Sequence, residues 1–153
     1  MKKRKTNRKK CPFMIHADPL EERTAFPTHT HGLTKMGWPE FFIDPLAFGG
    51  VGNGNRINAI WEYLRKKGKR QLLQNILDGK IVKISDRDLL PGKELEVVHT
   101  YCLREVPRTF EGVRLAYPYE ADDPSKTMRF VQVWVEGDDY ALLDAYYKGG
   151  VTW

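Results

Sequence analysis

Phe26-Pro27-Thr28-His29-Thr30-His31-Gly32-Leu33, running on through Gly37-Trp38-Pro39-Glu40-Phe41-Phe42-Ile43-Asp44-Pro45, is the stretch from which the fold is read. Residues 24–33 alternate as a strand does. Pro27 assigns that strand to a sheet edge or an early bulge, because proline lacks the N–H that a ladder needs. Strand side chains repeat every two residues, so His29 and His31 share one face and Thr28 and Thr30 the other. Residues 34–39 read as a loop punctuated by Gly37 and Pro39. Residues 40–44 form a second strand, apolar in the middle and stopped by Pro45. Two strands joined by a short loop predict an antiparallel hairpin.

Outward from the hairpin, residues 55–67 are the clearest helix. Ile57, Ile60, Trp61 and Leu64 fall at helical spacing, and Gly68 stops the run. The Gly-rich segment before it, residues 48–55, lacks the spacing of a nucleotide-phosphate loop and reads as a loop ending in an Asn N-cap. Residues 70–77 form a second, short helix. Five Lys/Arg fall within residues 65–70, a solvated helix end or a second anion patch. Residues 80–84 form a strand, 86–93 a loop and 95–103 a strand. On the last, Leu95, Val97, His99, Tyr101 and Leu103 share a face, with His99 read as a core histidine. Residues 109–119 are a short helix, and 128–135 (MRFVQVWV) a strand apolar on both faces and therefore central. Residues 11–23 read as a lead-in on the domain edge that includes a short strand, with His16 at the surface. The fold class is α+β: one domain over residues 11–153, with a mainly antiparallel sheet of about five strands and two or three helices packed on one face.

A chain of 153 residues with 41% hydrophobic and 12% aromatic content fits one globular domain. No apolar run approaches the roughly 18 residues of a membrane helix, and no apolar segment follows the basic start as in a secretory signal. Cys11 and Cys102 make neither a disulfide framework nor a metal knuckle, which suits a reduced, cytoplasmic protein. The net charge of +5 is unevenly placed: residues 1–10 carry seven Lys/Arg and no acid, leaving 18 basic against 20 acidic residues elsewhere. Residues 1–10 are thus a disordered basic arm. Lys2, Lys3, Arg4, Lys5, Arg8, Lys9 and Lys10 would contact a polyanion without reading sequence, or only aid solubility.

Three uses of the histidine stretch follow. His29 and His31, with His99 or a carboxylate such as Glu40 or Asp44, can ligate a metal of the zinc class and activate water; without a metal, the two imidazoles can act as acid and base on a phosphoester. Alternatively, His29, His31, Trp38, Tyr101 and Glu40 bind a nucleotide or nucleic acid by stacking and hydrogen bonding. In the third, the two histidines brace the hairpin. The leading expectation is a small binding or interaction protein that engages a nucleotide, nucleic acid or host protein. The alternative is a metal-dependent or histidine-based hydrolase.

His29-Thr30-His31-Gly32-Leu33 followed by Gly37-Trp38-Pro39-Glu40, with Val131-Gln132-Val133-Trp134 and Asp138-Asp139-Tyr140 late in the chain, resembles a small bacterial and phage family catalogued as domain of unknown function 4262. The resemblance covers about residues 25–147. Trp38 stands where that family most often has His, and the tail lacks its Pro-Trp. The family carries no assigned chemistry. The resemblance implies an α+β fold and a cytoplasmic protein of bacterial or phage origin, and in a phage it suggests a counter-defence role.

Overall fold

The computed structural model describes residues 13–16, 27–43, 52–123 and 127–137. Six strands, β1 (Met14–His16), β2 (Thr28–His31), β3 (Glu40–Ile43), β4 (Val82–Ser85), β5 (Thr100–Val106) and β6 (Phe130–Val135), make one sheet in the order β1-β2-β3-β6-β5-β4. The expected hairpin is β2–β3, antiparallel, with His29 opposite Phe42. All other neighbours are antiparallel except β3 and β6, which run parallel with Glu40 beside Phe130. The α+β class stands, while the sheet gains a sixth strand and is mixed.

The strand read as central, β6, is buried along its whole length. A strand buried on both faces requires cover on both. Val131, Val133 and Val135 lie on one side with Phe41, Ile43, Tyr101 and Leu103, under helices α1 (Asn53–Leu64) and α2 (Arg70–Leu77). Phe130 lies on the other side with Phe42 and Val106, under Val113 and Ala116 of a short helix (Glu111–Ala116) and under Tyr117. The helices therefore occupy both faces. The one-sided arrangement expected from sequence is corrected by Phe42 and Phe130, whose rings need their own cover.

Helix α1 buries the predicted stripe of Ile57, Ile60, Trp61 and Leu64. It starts at Asn53, one residue after Gly52, whose φ of 72° is the left-handed conformation that glycine adopts freely. Helix α2 has the predicted bounds. Two segments read as loops contain helical turns: a 3-10 turn at Leu33–Met36 and helix α3 (Asp86–Leu89), with Glu111–Ala116 then α4. Helix α3 is started by a reciprocal capping box between Ser85 and Asp88, which satisfies two otherwise orphaned N–H groups. Strand β5 begins at Thr100, later than expected, because the His99 N–H donates to the Asp86 carboxylate at 2.9 Å rather than to a ladder. Cys102 is buried within β5. No helix among the described residues is long and apolar enough to cross a membrane. The expectations for residues 1–12, for Asp44 and for the tail after Gly137 lie outside the described residues.

Candidate functional site

Glu40 is fully buried at the start of β3. A buried carboxylate needs donors, and four converge on it. Thr30 Oγ1 donates to Oε1 at 2.9 Å and the Leu33 N–H at 3.2 Å, while Thr34 donates to Oε2 from its N–H at 2.8 Å and from its hydroxyl. The carboxylate thus caps the 3-10 turn, which glycines with positive φ flank at Gly32 and Gly37. Thr30 Oγ1 accepts the Phe41 N–H at 3.0 Å, locking β2 to β3. Thr30, Leu33 and Glu40, all quoted for the family resemblance, belong to this hydrogen-bonded unit.

His29 and His31 lie on the opposite side of β2 from the Thr30 hydroxyl, as the strand period requires. His29 Nδ1 meets the Pro27 carbonyl at 2.7 Å, and its Nε2 lies 3.1 Å from Nε2 of His31. Tyr117 packs edge-on against both rings, with centroids 4.9 and 5.3 Å away. Its hydroxyl donates to the carbonyls of Thr30 at 2.9 Å and Phe41 at 3.2 Å. Burial, and then the Glu40 charge, push the Tyr117 phenol well above its ordinary range, so it stays a neutral donor.

The other residues singled out from sequence are elsewhere. Trp38 packs against Trp61 of α1, with ring centroids 6.2 Å apart. Tyr101 and His99 belong to the α1 side of the sheet. Strands β2 and β5 are three interstrand steps apart, about 14 Å at 4.8 Å per step. The structure therefore does not bring His99 to His29 and His31, nor Trp38 and Tyr101 to one platform with them. Among the described residues, no group of three or more His, Cys, Asp or Glu side chains is placed to hold a metal ion.

His99 and Tyr101 instead meet Asp86 and Arg56 in a cleft of about 440 Å³ between α1, α3 and the start of β5. Asp86 Oδ1 accepts from the Tyr101 hydroxyl at 2.7 Å, and Oδ2 accepts from the His99 N–H at 2.9 Å and faces His99 Nδ1 at 3.0 Å. Burial alone would raise the Asp86 carboxyl. The hydrogen bonds from Tyr101 and His99, with the His99 charge, outweigh it and hold the group below the usual carboxylate range. Tyr101 is pushed up to about 12, chiefly by burial and then by its bond to the Asp86 carboxylate, against the opposing hydrogen bond from Arg56. At neutral pH an ionised Asp86 is thus held by a neutral Tyr101. With Asp86 as acceptor the His99 ring proton sits on Nδ1, which puts the basic lone pair of the neutral ring on Nε2. The His99 side chain is 32% exposed, so the imidazole reaches the cleft surface.

Arg56 completes the polar wall. A methyl group added to Gly52 would meet Arg56 Nη1 at 2.9 Å, so the guanidinium folds back over the N-terminus of α1. Ala59, Leu89, Leu90 and Val97 supply the apolar wall. The N-terminal turn of α1 carries no acid, and the nearby cation opposes the helix dipole. Sequence reasoning named His99 and Tyr101 but missed Asp86 and Arg56. Two signals pointed to them: Ser85-x-x-Asp88 is a helix-start signature that brings Asp86 into a first turn, and Arg56 is a cation at the disfavoured end of a helix. Compared with known proteins, the chain matches no family model, no curated protein and no solved structure.

Proposed function

We propose that the protein binds a small phosphate-bearing ligand of the nucleotide class in the cleft between α1, α3 and β5. One observation carries this reading: Arg56, Tyr101, Asp86 and His99 form a continuous hydrogen-bonded series along one wall, facing an apolar wall. The cleft volume falls within the range of about 300–1,000 Å³ common to small-ligand sites, and a few convergent polar groups on an apolar surround are their usual make-up. Arg56 and the N-terminal N–H groups of α1 meet the phosphate. The apolar wall takes the base or sugar, and His99 and Asp86 set its orientation. The basic arm adds sequence-independent attraction to polyanions. The family resemblance supports a bacterial or phage cytoplasmic setting, in which sequestering a host nucleotide would serve counter-defence.

Calorimetric titration of the full chain with nucleoside mono-, di- and triphosphates tests this. One class is expected to bind with 1:1 stoichiometry. Arg56→Ala weakens it by about tenfold to a hundredfold, the loss of a charge-assisted hydrogen bond of about 1.5–3 kcal/mol. Absence of binding to every nucleotide, or equal binding by Arg56→Ala, would overturn the proposal.

The 3.0 Å contact between His99 Nδ1 and Asp86 favours a second reading, histidine-based hydrolysis of a phosphoester. A carboxylate that fixes the tautomer leaves Nε2 as the base that activates water. Product analysis after incubation with nucleotides separates the readings: turnover abolished in folded His99→Ala supports hydrolysis, and intact ligand recovered from the complex supports binding alone.

A further inference from the structure

The opposite face of the sheet carries a second grouping, independent of the cleft. His29 Nδ1 faces the Pro27 carbonyl, which can only accept, so the ring proton of His29 is on Nδ1 and its Nε2 lone pair points at His31. His31 presents Nε2 to that lone pair at 3.1 Å and turns Nδ1 toward Glu120 Oε1 at 3.8 Å. Each imidazole therefore has an acceptor behind it, one a backbone carbonyl and one a carboxylate, with both Nε2 atoms converging in front. Metal-ligating histidines are characteristically oriented this way by their second ring nitrogen. Two imidazole ligands about 2.0–2.1 Å from a tetrahedral ion lie about 3.3 Å apart, close to the separation here.

The surroundings favour a fixed pair. Tyr117 packs against both rings, and the rings meet edge-on at 74° with centroids 4.9 Å apart. His29 is buried and His31 is 29% exposed, which leaves the approach on the His31 side. The β1–β2 register sets His16 opposite His29.

We propose that this edge binds a divalent cation of the zinc and copper class, with Nε2 of His29 and Nε2 of His31 as two of its ligands. The ion takes the place of the hydrogen between the two nitrogens, and His31 then carries its one ring proton on Nδ1, toward Glu120, so that both ligands are neutral imidazoles. Imidazole nitrogen selects borderline transition metals over magnesium or calcium. Glu120 is a positioning residue that holds the His31 ring and raises its basicity.

The test is calorimetric titration of the tag-free full chain with zinc chloride, with magnesium chloride as comparison. One zinc ion binds per chain, and magnesium does not bind. His29→Ala and His31→Ala each weaken zinc binding by at least about tenfold, and Glu120→Gln by about 10–100-fold. Should either histidine variant fail to fold, the electron paramagnetic resonance spectrum of one copper(II) equivalent on the wild-type chain decides the matter. Nitrogen hyperfine structure from two imidazoles is expected. Absence of stoichiometric zinc binding, equal affinity in folded His29→Ala and His31→Ala, or a copper spectrum without imidazole nitrogen would overturn the proposal.

Discussion

Asp86 holds His99 at two points, accepting its main-chain N–H at 2.9 Å and facing its ring Nδ1 at 3.0 Å with the same carboxylate oxygen. The other oxygen takes the Tyr101 hydroxyl at 2.7 Å. The residue that ends the β5 ladder and the residue that starts α3 are thus joined through one side chain, which makes the cleft wall part of the fold.

Asp86→Asn is predicted to destabilise the protein by about 1.5–3 kcal/mol, because hydrogen bonds to a charged group are lost and His99 loses its acceptor. The carboxyl is held below its ordinary value in the folded state, so its contribution is present above the unfolded value of about 3.9 and disappears as pH falls through the lower folded value. Denaturant unfolding of wild type and Asp86→Asn across pH 2–7 should show a stability difference that shrinks below about pH 4.

Tyr101 is predicted to ionise near pH 12, above the ordinary phenol value of about 10. Its raised value stabilises the fold below pH 10, and that contribution is lost as pH rises through about 12. Ultraviolet titration at alkaline pH checks this: the difference between wild type and Tyr101→Phe should be one phenol titrating near 12 rather than near 10.

Glu40→Ala should cost about 3 kcal/mol or more. It leaves two hydroxyl and two N–H donors around a buried position, each orphaned group costing about 1–3 kcal/mol with partial rescue by rearrangement. Denaturant unfolding measures the loss, and a smaller cost for Glu40→Gln, which keeps one acceptor oxygen, is the expected control.

Gly52→Ala is predicted to destabilise by about 1–2 kcal/mol, since φ of 72° is costly for any residue with a Cβ. It also pushes Arg56 from its place over the helix N-terminus. Nucleotide affinity should therefore fall under conditions where the variant is fully folded, as read by calorimetry beside circular dichroism.

Legibility in the sequence followed the range of the interaction. Ile57, Ile60, Trp61 and Leu64 gave away α1 because helical spacing is local, and the alternation around His29 and Phe42 announced the hairpin because its loop is short. The doubly apolar run at Val131–Val133–Val135 marked β6 as central. The parallel pairing of β3 with β6 was not legible, since it joins segments with most of the chain between them and no turn residue records it. For the same reason the cleft was half seen. His99 and Tyr101 share a visible alternation, whereas Asp86 meets them from across a loop and Arg56 from another helix. The Ser85–Asp88 capping box and a cation near the α1 N-terminus are the local signals of those partners.

The central claim, a nucleotide-class ligand seated against Arg56 and His99, is tested most directly by protein-observed nuclear magnetic resonance. The 15N-labelled full chain is titrated with nucleoside mono-, di- and triphosphates. Saturable shifts concentrated at Gly52, Asn55, Arg56, Asp86, His99 and Tyr101, and lost in Arg56→Ala, are the predicted result. Saturable shifts confined to other residues, or no shift with any nucleotide, would contradict it.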